Sequence, residues 1–282
     1  MTSSDELSYL KTYNAARKHY SPLFAAILAK QYQSIVLGNE PDQVELKATI
    51  QDLHKQLGVR MAVRTKETVL KRAAKMTNKT RYELVIMQYL ERMGLTQLAQ
   101  GITDTSKEDI RKILLQQADQ QLTTSQTMTL IEARGLPRWR GELIARTETS
   151  HAANVGSMVG ALDTGLVCKK EWVSAQDNRT RREPRDQTDH LYMNGVQADM
   201  DKPFQVPSKL GATAMLHPGE PNAPANQVCN CRCSVGFIPQ RDANGKLMKI
   251  ADNPPMGNVG YLWQALNNVV LLEIQQALGS IV

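Results

Sequence analysis

Long apolar runs are missing from this chain. No stretch of about 18 uncharged apolar residues occurs, which excludes a membrane-spanning helix as an expectation. Residues 1–20 hold Asp5, Glu6, Lys11, Arg17 and Lys18 and no apolar segment of the kind a signal peptide needs. Aromatic residues are scarce, at 5%, so the core has to be built mainly from aliphatic side chains. Cysteine is absent before Cys168, and three of the four cysteines fall within Cys229–Cys233. A secreted disulfide framework spreads its cysteines along the chain, so synthesis in a cytoplasm is the better reading. Also missing are a Gly-rich phosphate loop, a Ser-His-Asp set and a paired-carboxylate pattern, which counts against the common hydrolase and nucleotide-dependent chemistries.

What is present is a chain of 282 residues, 41% hydrophobic and 22% charged, with net charge +6. That length supports one or two domains with a substantial core. The positive balance favours a polyanionic neighbour, of which nucleic acid is the commonest.

Residues 1–105 read as helices. Ser3 or Ser4 can cap a first helix whose opening turn carries Asp5 and Glu6. Pro22 suits the first turn of a second helix, with Phe24, Ile27, Leu28 and Tyr32 on its inner side. Val44, Ile50, Leu53 and Leu57 give a third, stopped at Gly58. Residues 59–82 hold eight Lys or Arg against the single acid Glu67. At about 100° per residue, Arg60, Arg64, Lys71 and Lys75 share one face of a helix, opposite Val63, Val69 and Leu70. Such a stripe is either a solvated face or a phosphate-contacting one. Tyr82–Met93 continues as helix, with Gly94 and Gly101 as punctuation. Ser106 with Asp109 resembles a capping box and marks a new start. The sequence therefore divides into a helical region 1–105, a core domain 106–245 and a tail 246–282.

Within the core domain, a short helix over 123–133 precedes the longest one, Pro137 to about Asp163, with Gly165 as its stop. Ala152, Ala153, Gly156, Ser157, Gly160 and Ala161 line this long helix, so other backbones should approach it closely. Arg146 and Glu148 lie two residues apart and cannot face each other, so each must pair elsewhere. Leu166–Val173 reads as a strand, 174–203 as polar connections, 206–227 as an irregular loop and Cys229–Ile238 as a second strand. In the tail, residues 260–279 have helical spacing, with Glu273 as the sole charged side chain from Pro254 onward.

On a strand, alternate residues share a face, so Cys229, Cys231 and Cys233 would present three thiols together. Zinc takes four ligands, usually Cys and His, and these thiols with His190 could supply them, with Asp177 or Cys168 in reserve. Buried free thiols and a redox-sensitive pair are the competing readings.

One ordered series of residues remains. Arg146-Thr147-Glu148 lies in a helix. Trp172 follows, then Asp177-Asn178-Arg179-Thr180-Arg181, His190, Gly195, Phe204, Pro218-Gly219-Glu220-Pro221 and Asn230-Cys231-Arg232-Cys233. In order and spacing this resembles the phage Mu F-type head morphogenesis family, the minor head or minor capsid proteins of tailed phages. The resemblance covers the middle of the chain. His190 stands nine residues after Arg181, where the family pattern has a shorter gap, which implies an insertion over Arg182–Asp189.

The resemblance implies a predominantly helical α+β protein: a helical N-terminal region, a small mixed α/β core and a C-terminal helix. It implies a non-enzymatic minor component of the capsid interior, associated with the portal protein and other head proteins. Such a component acts in head assembly, DNA packaging or genome delivery, with packaged DNA and further copies of itself as candidate partners. Arg146, Glu148, Trp172, Asp177, Arg179 and Arg181 then become structural motif residues. Two readings from other classes stand beside it. One is a stand-alone nucleic-acid-binding module with a zinc site. The other is an enzyme built on Arg146, Glu148 and His190.

Overall fold

The structure is a computed structural model and describes residues 3–70, 79–116 and 123–250. The fold is α+β and predominantly helical. Helix α1 spans Ser3–Val36 without interruption and contains Pro22. The expected helix start at Pro22 is thus overturned. Tyr13, Tyr20, Phe24, Ile27, Leu28 and Tyr32 form one buried stripe across the proline, and tertiary packing of that stripe outweighs the lost backbone hydrogen bond.

The segment 44–70 is also unbroken. It comprises α2 (Val44–Leu53), a π-helical turn (His54–Gly58) and α3 (Val59–Leu70). Gly58 does not end the helix, because it lies where the next helix comes closest. Helix α4 spans Lys79–Arg92, and Gly94, with φ +85°, separates it from α5 (Leu95–Gln116). Ser106 is no N-cap. It lies buried inside α5 and donates to the Ile102 carbonyl, so α5 runs straight through the boundary drawn between 105 and 106. Gly101 is likewise helical. Helix α6 (Thr124–Ala133) has the expected start, with Thr123 and Gln126 forming a reciprocal capping box.

Helix α7 (Leu136–Leu162) is the axis of the molecule and is nearly encased. Its glycines permit this. A Cβ on Gly156 would stand 2.1 Å from the Gly58 carbonyl oxygen, and one on Gly160 would stand 2.1 Å from that of Ala62. One on Gly141 would meet the Ala25 backbone nitrogen at 2.6 Å. α7 thus touches the backbones of α1, the π turn and α3. Helices on both sides of the 105/106 boundary contribute to one core with α7.

After the stop at Gly165 come β1 (Cys168–Val173), β2 (Gln197–Asp199), β3 (Phe204–Val206), β4 (Thr213–Met215), a short helix α8 (Ala225–Val228) and β5 (Ser234–Pro239). An antiparallel sheet has the order β2-β1-β5, with Trp172 opposite Val235, and β3 pairs separately with β4. The sheet meets α7 through Asn154. Its amide donates to the carbonyls of Pro218 and Cys233, and its oxygen accepts from the Val235 N–H. The tail helix expected over 260–279 lies outside the described residues. No described helix is long and apolar enough to cross a membrane.

Candidate functional site

Trp172 is the hub of the region beyond α7. It is fully buried on the inward face of β1, edge-on to Phe204 at 5.5 Å and to His190 at 5.3 Å between ring centroids. The two-residue period of β1 also turns Lys170 inward. Its ammonium donates to the Leu216 carbonyl and lies over the Phe204 ring.

Around Trp172 the fold gathers most of the motif residues. His190 Nδ1 lies 3.6 Å from Cys231 Sγ and 3.7 Å from Cys233 Sγ, and all three side chains are buried. They form a group able to hold a metal ion. The tautomer is set from behind. His190 Nε2 lies 2.8 Å from Gln227 Oε1, while the Gln227 amide donates to Thr213 Oγ1. Gln227 Oε1 therefore accepts from the His190 Nε2–H and leaves the Nδ1 lone pair facing the thiols. The Cys231 thiol is held well below its ordinary value chiefly by the Cys233 S–H donating to it, in spite of burial. Cys233 is pushed up by the same sharing with Cys231 and by burial.

Cys229 does not join them. It ends α8, and Asn230, with φ +60°, turns the chain between it and Cys231. The expected strand begins only at Ser234, so the alternation that would have aligned three thiols does not reach Cys229. The reserve ligands are engaged elsewhere. Asp177 forms a two-pronged ion pair with Arg232, which holds its carboxyl far below the usual range. Cys168 lies in a separate apolar cluster with Val69 and Leu166, where burial pushes its thiol up to about 11.

The other motif residues close the junction. Arg181 donates to the carbonyls of Gln227 and Cys229, and its own carbonyl accepts from the His190 N–H. Arg179 donates its backbone N–H to Asp177 Oδ1. Arg146 Nη1 donates to Asn230 Oδ1 at 2.6 Å, and Thr147 Oγ1 accepts from the Asn230 N–H. Arg146 and Thr147 thus tie α7 to the cysteine turn, and Arg146 pairs away from Glu148 as expected.

Glu148 behaves differently. It is buried with His54 and His151 as its partners, so it takes no part in holding β1 or the cysteine segment. Arg146, Glu148 and His190 are not brought into one constellation. Burial pushes the Glu148 carboxyl up, but the adjacent His151 and His54 imidazoles, the latter hydrogen-bonded to it, outweigh burial and hold it at about 2. Burial lowers His54 to about 4, so at neutral pH this is a carboxylate accepting from a neutral imidazole. Sequence reasoning missed His54, His151 and His217. A local signal existed for His151 alone: Glu148-Thr149-Ser150-His151, whose spacing puts a carboxylate and an imidazole on one helix face.

Of the basic stripe, Arg60 is exposed and Arg64 half-buried on α3, while Lys71 and Lys75 lie outside the described residues. Lys66, counted with the basic residues, points inward and donates to Asp163 Oδ2 at 2.7 Å.

Comparison with known protein families, curated proteins and solved structures returns no match.

Proposed function

We propose that this chain is a minor structural protein of a tailed-phage head, placed on the capsid interior with the portal protein. There it acts in head assembly, DNA packaging or genome delivery. The observation that carries the reading is that the residues of the resemblance bond to one another. Arg146 bonds Asn230, Asp177 bonds Arg232, Arg181 bonds the Cys229 carbonyl and His190 bonds Gln227. A polar network closed on itself fixes shape and leaves few groups aimed at a substrate, which suits an assembly component better than an enzyme. Packaged DNA is a candidate neighbour of the α3 face that carries Arg60 and Arg64.

We further propose zinc at His190, Cys231 and Cys233. With Zn–S near 2.3 Å and Zn–N near 2.0–2.1 Å, a tetrahedral site has an N-to-S edge of about 3.6 Å. The two N-to-S distances are 3.6 and 3.7 Å. A small cavity of about 10 Å³ adjoins the three side chains, and Arg179, Arg181 and Arg232 also line it. Bound there, zinc would supply folding free energy by joining the cysteine turn to the His190 segment.

Mass spectrometry of purified particles, full and emptied of DNA, tests the first part. The chain is expected in few copies with the portal, and its absence from particles refutes the assignment. Metal analysis tests the second. About one equivalent should be lost in Cys231→Ser and kept in Cys229→Ser, and a chain whose melting temperature ignores chelation refutes zinc.

A further inference from the structure

We propose a second metal site, in the helical core, formed by His54 Nε2, Glu148 Oε2 and His151 Nδ1, which takes a divalent first-row transition ion and joins the π turn to α7. The three ligand atoms lie within 4.8 Å of one another. All three side chains are buried.

Helix geometry builds the site. Glu148 and His151 stand three apart on α7 and share a face. His54 arrives from 94 residues away on the π turn, an irregularity often found at functional positions. The close approach of Gly156 to Gly58 brings that turn against α7, so that the His54 and His151 rings meet edge to face at 4.5 Å.

Hydrogen bonding alone accounts poorly for the arrangement. The distances from Glu148 Oε2 are 3.2 Å to His54 and 3.5 Å to His151. Neutral N–H···O bonds span about 2.7–3.2 Å, so the His54 contact is at the long end of that range and the His151 contact lies beyond it. With metal–ligand bonds of about 2.0–2.2 Å, the N-to-O edge is about 3.4 Å for tetrahedral coordination and about 3.0 Å for octahedral. The observed pair falls across that interval. His151 is 1% exposed, and neither of its ring nitrogens has a hydrogen-bond partner. A cation would engage Nδ1 and compensate a carboxylate whose ion-pair partners are both histidines. Two imidazoles and a carboxylate suit zinc, iron(II) or nickel rather than calcium or magnesium. His217, stacked on His151, is not a ligand, since Tyr89 and the Pro218 carbonyl occupy its two nitrogens.

This site is independent of the thiolate site, and the test separates them. Metal-free full-length chain is titrated with cadmium and followed by cadmium NMR, in which thiolate sites and nitrogen–oxygen sites resonate in different regions. Two equivalents are expected, one in each region. His54→Gln and Glu148→Gln should each abolish the nitrogen–oxygen resonance and leave the other. A wild-type chain with only a thiolate resonance overturns this site and leaves the zinc assignment standing, and the converse overturns the zinc assignment alone. A nitrogen–oxygen resonance that survives both substitutions marks a surface ion and also overturns the proposal. Should either variant fail to fold, nitrogen NMR of the wild-type imidazoles decides. Cadmium must shift His54 and His151 and leave His217 in place, and unmoved His54 and His151 signals refute the site.

Discussion

Replacing Gly156 by alanine tests whether α7 is held by backbone contact. Helix propensity alone favours alanine over glycine in a helix interior by about 0.8–1.0 kcal/mol. The packing opposes it. The new methyl would stand 2.1 Å from the Gly58 oxygen and 2.7 Å from the Gly58 carbonyl carbon and Cα, about 1.3 Å short of ordinary contact. These are backbone atoms inside a helix, so no rotamer change relieves the clash. The π turn and α7 must move apart, and such overpacking costs about 1–3 kcal/mol and occasionally more. The net expectation is a loss of up to about 2 kcal/mol. Gly101→Ala is the matched control, because Gly101 is helical and exposed and its Cβ would meet nothing within 4 Å. It should gain up to about 1 kcal/mol. Urea unfolding followed by circular dichroism gives both values. A Gly156→Ala chain as stable as Gly101→Ala would refute the close-contact account of α7.

Lys66→Met should cost about 3 kcal/mol in the same assay, because it strands a buried carboxylate, with Tyr82 still donating to Asp163; adding Asp163→Asn should restore part of the loss. Burial first, then the neighbouring His151, lowers His217 from 6.5 to about 3. Its contribution is therefore whole above pH 6.5 and falls as the unfolded state takes up the proton first, losing about 2 kcal/mol by pH 5. Unfolding free energies at the two pH values check this against His217→Gln, and a flat wild-type profile contradicts it. Arg60→Gln with Arg64→Gln should weaken binding to duplex DNA at low salt and make its salt dependence shallower. An unchanged binding curve leaves the α3 face merely solvated.

Local sequence determined the parts whose physics acts within a turn or two. The short helix over 123–133, the span of α7 with its stop at Gly165, the alternation of β1 and the predominantly helical α+β class were all legible, because periodicity and positive-φ glycine are near-neighbour effects. Small residues along α7 announced close approach, but not which backbones would come. Tertiary structure decided the rest. Pro22 and Ser106 carry helix-start signals worth about 1 kcal/mol, and the buried stripes of α1 and α5 override them. Lys66 reads as one more surface charge until α3 meets α7 at Asp163. The turn at Asn230 removes Cys229 from a thiol row that strand alternation alone would have kept whole. Glu148 could be read as needing a distant partner, but His54 became that partner only when the π turn and Gly156 set the distance between two helices. Such pairings depend on how the chain closes over long separations, and no local preference encodes that closure.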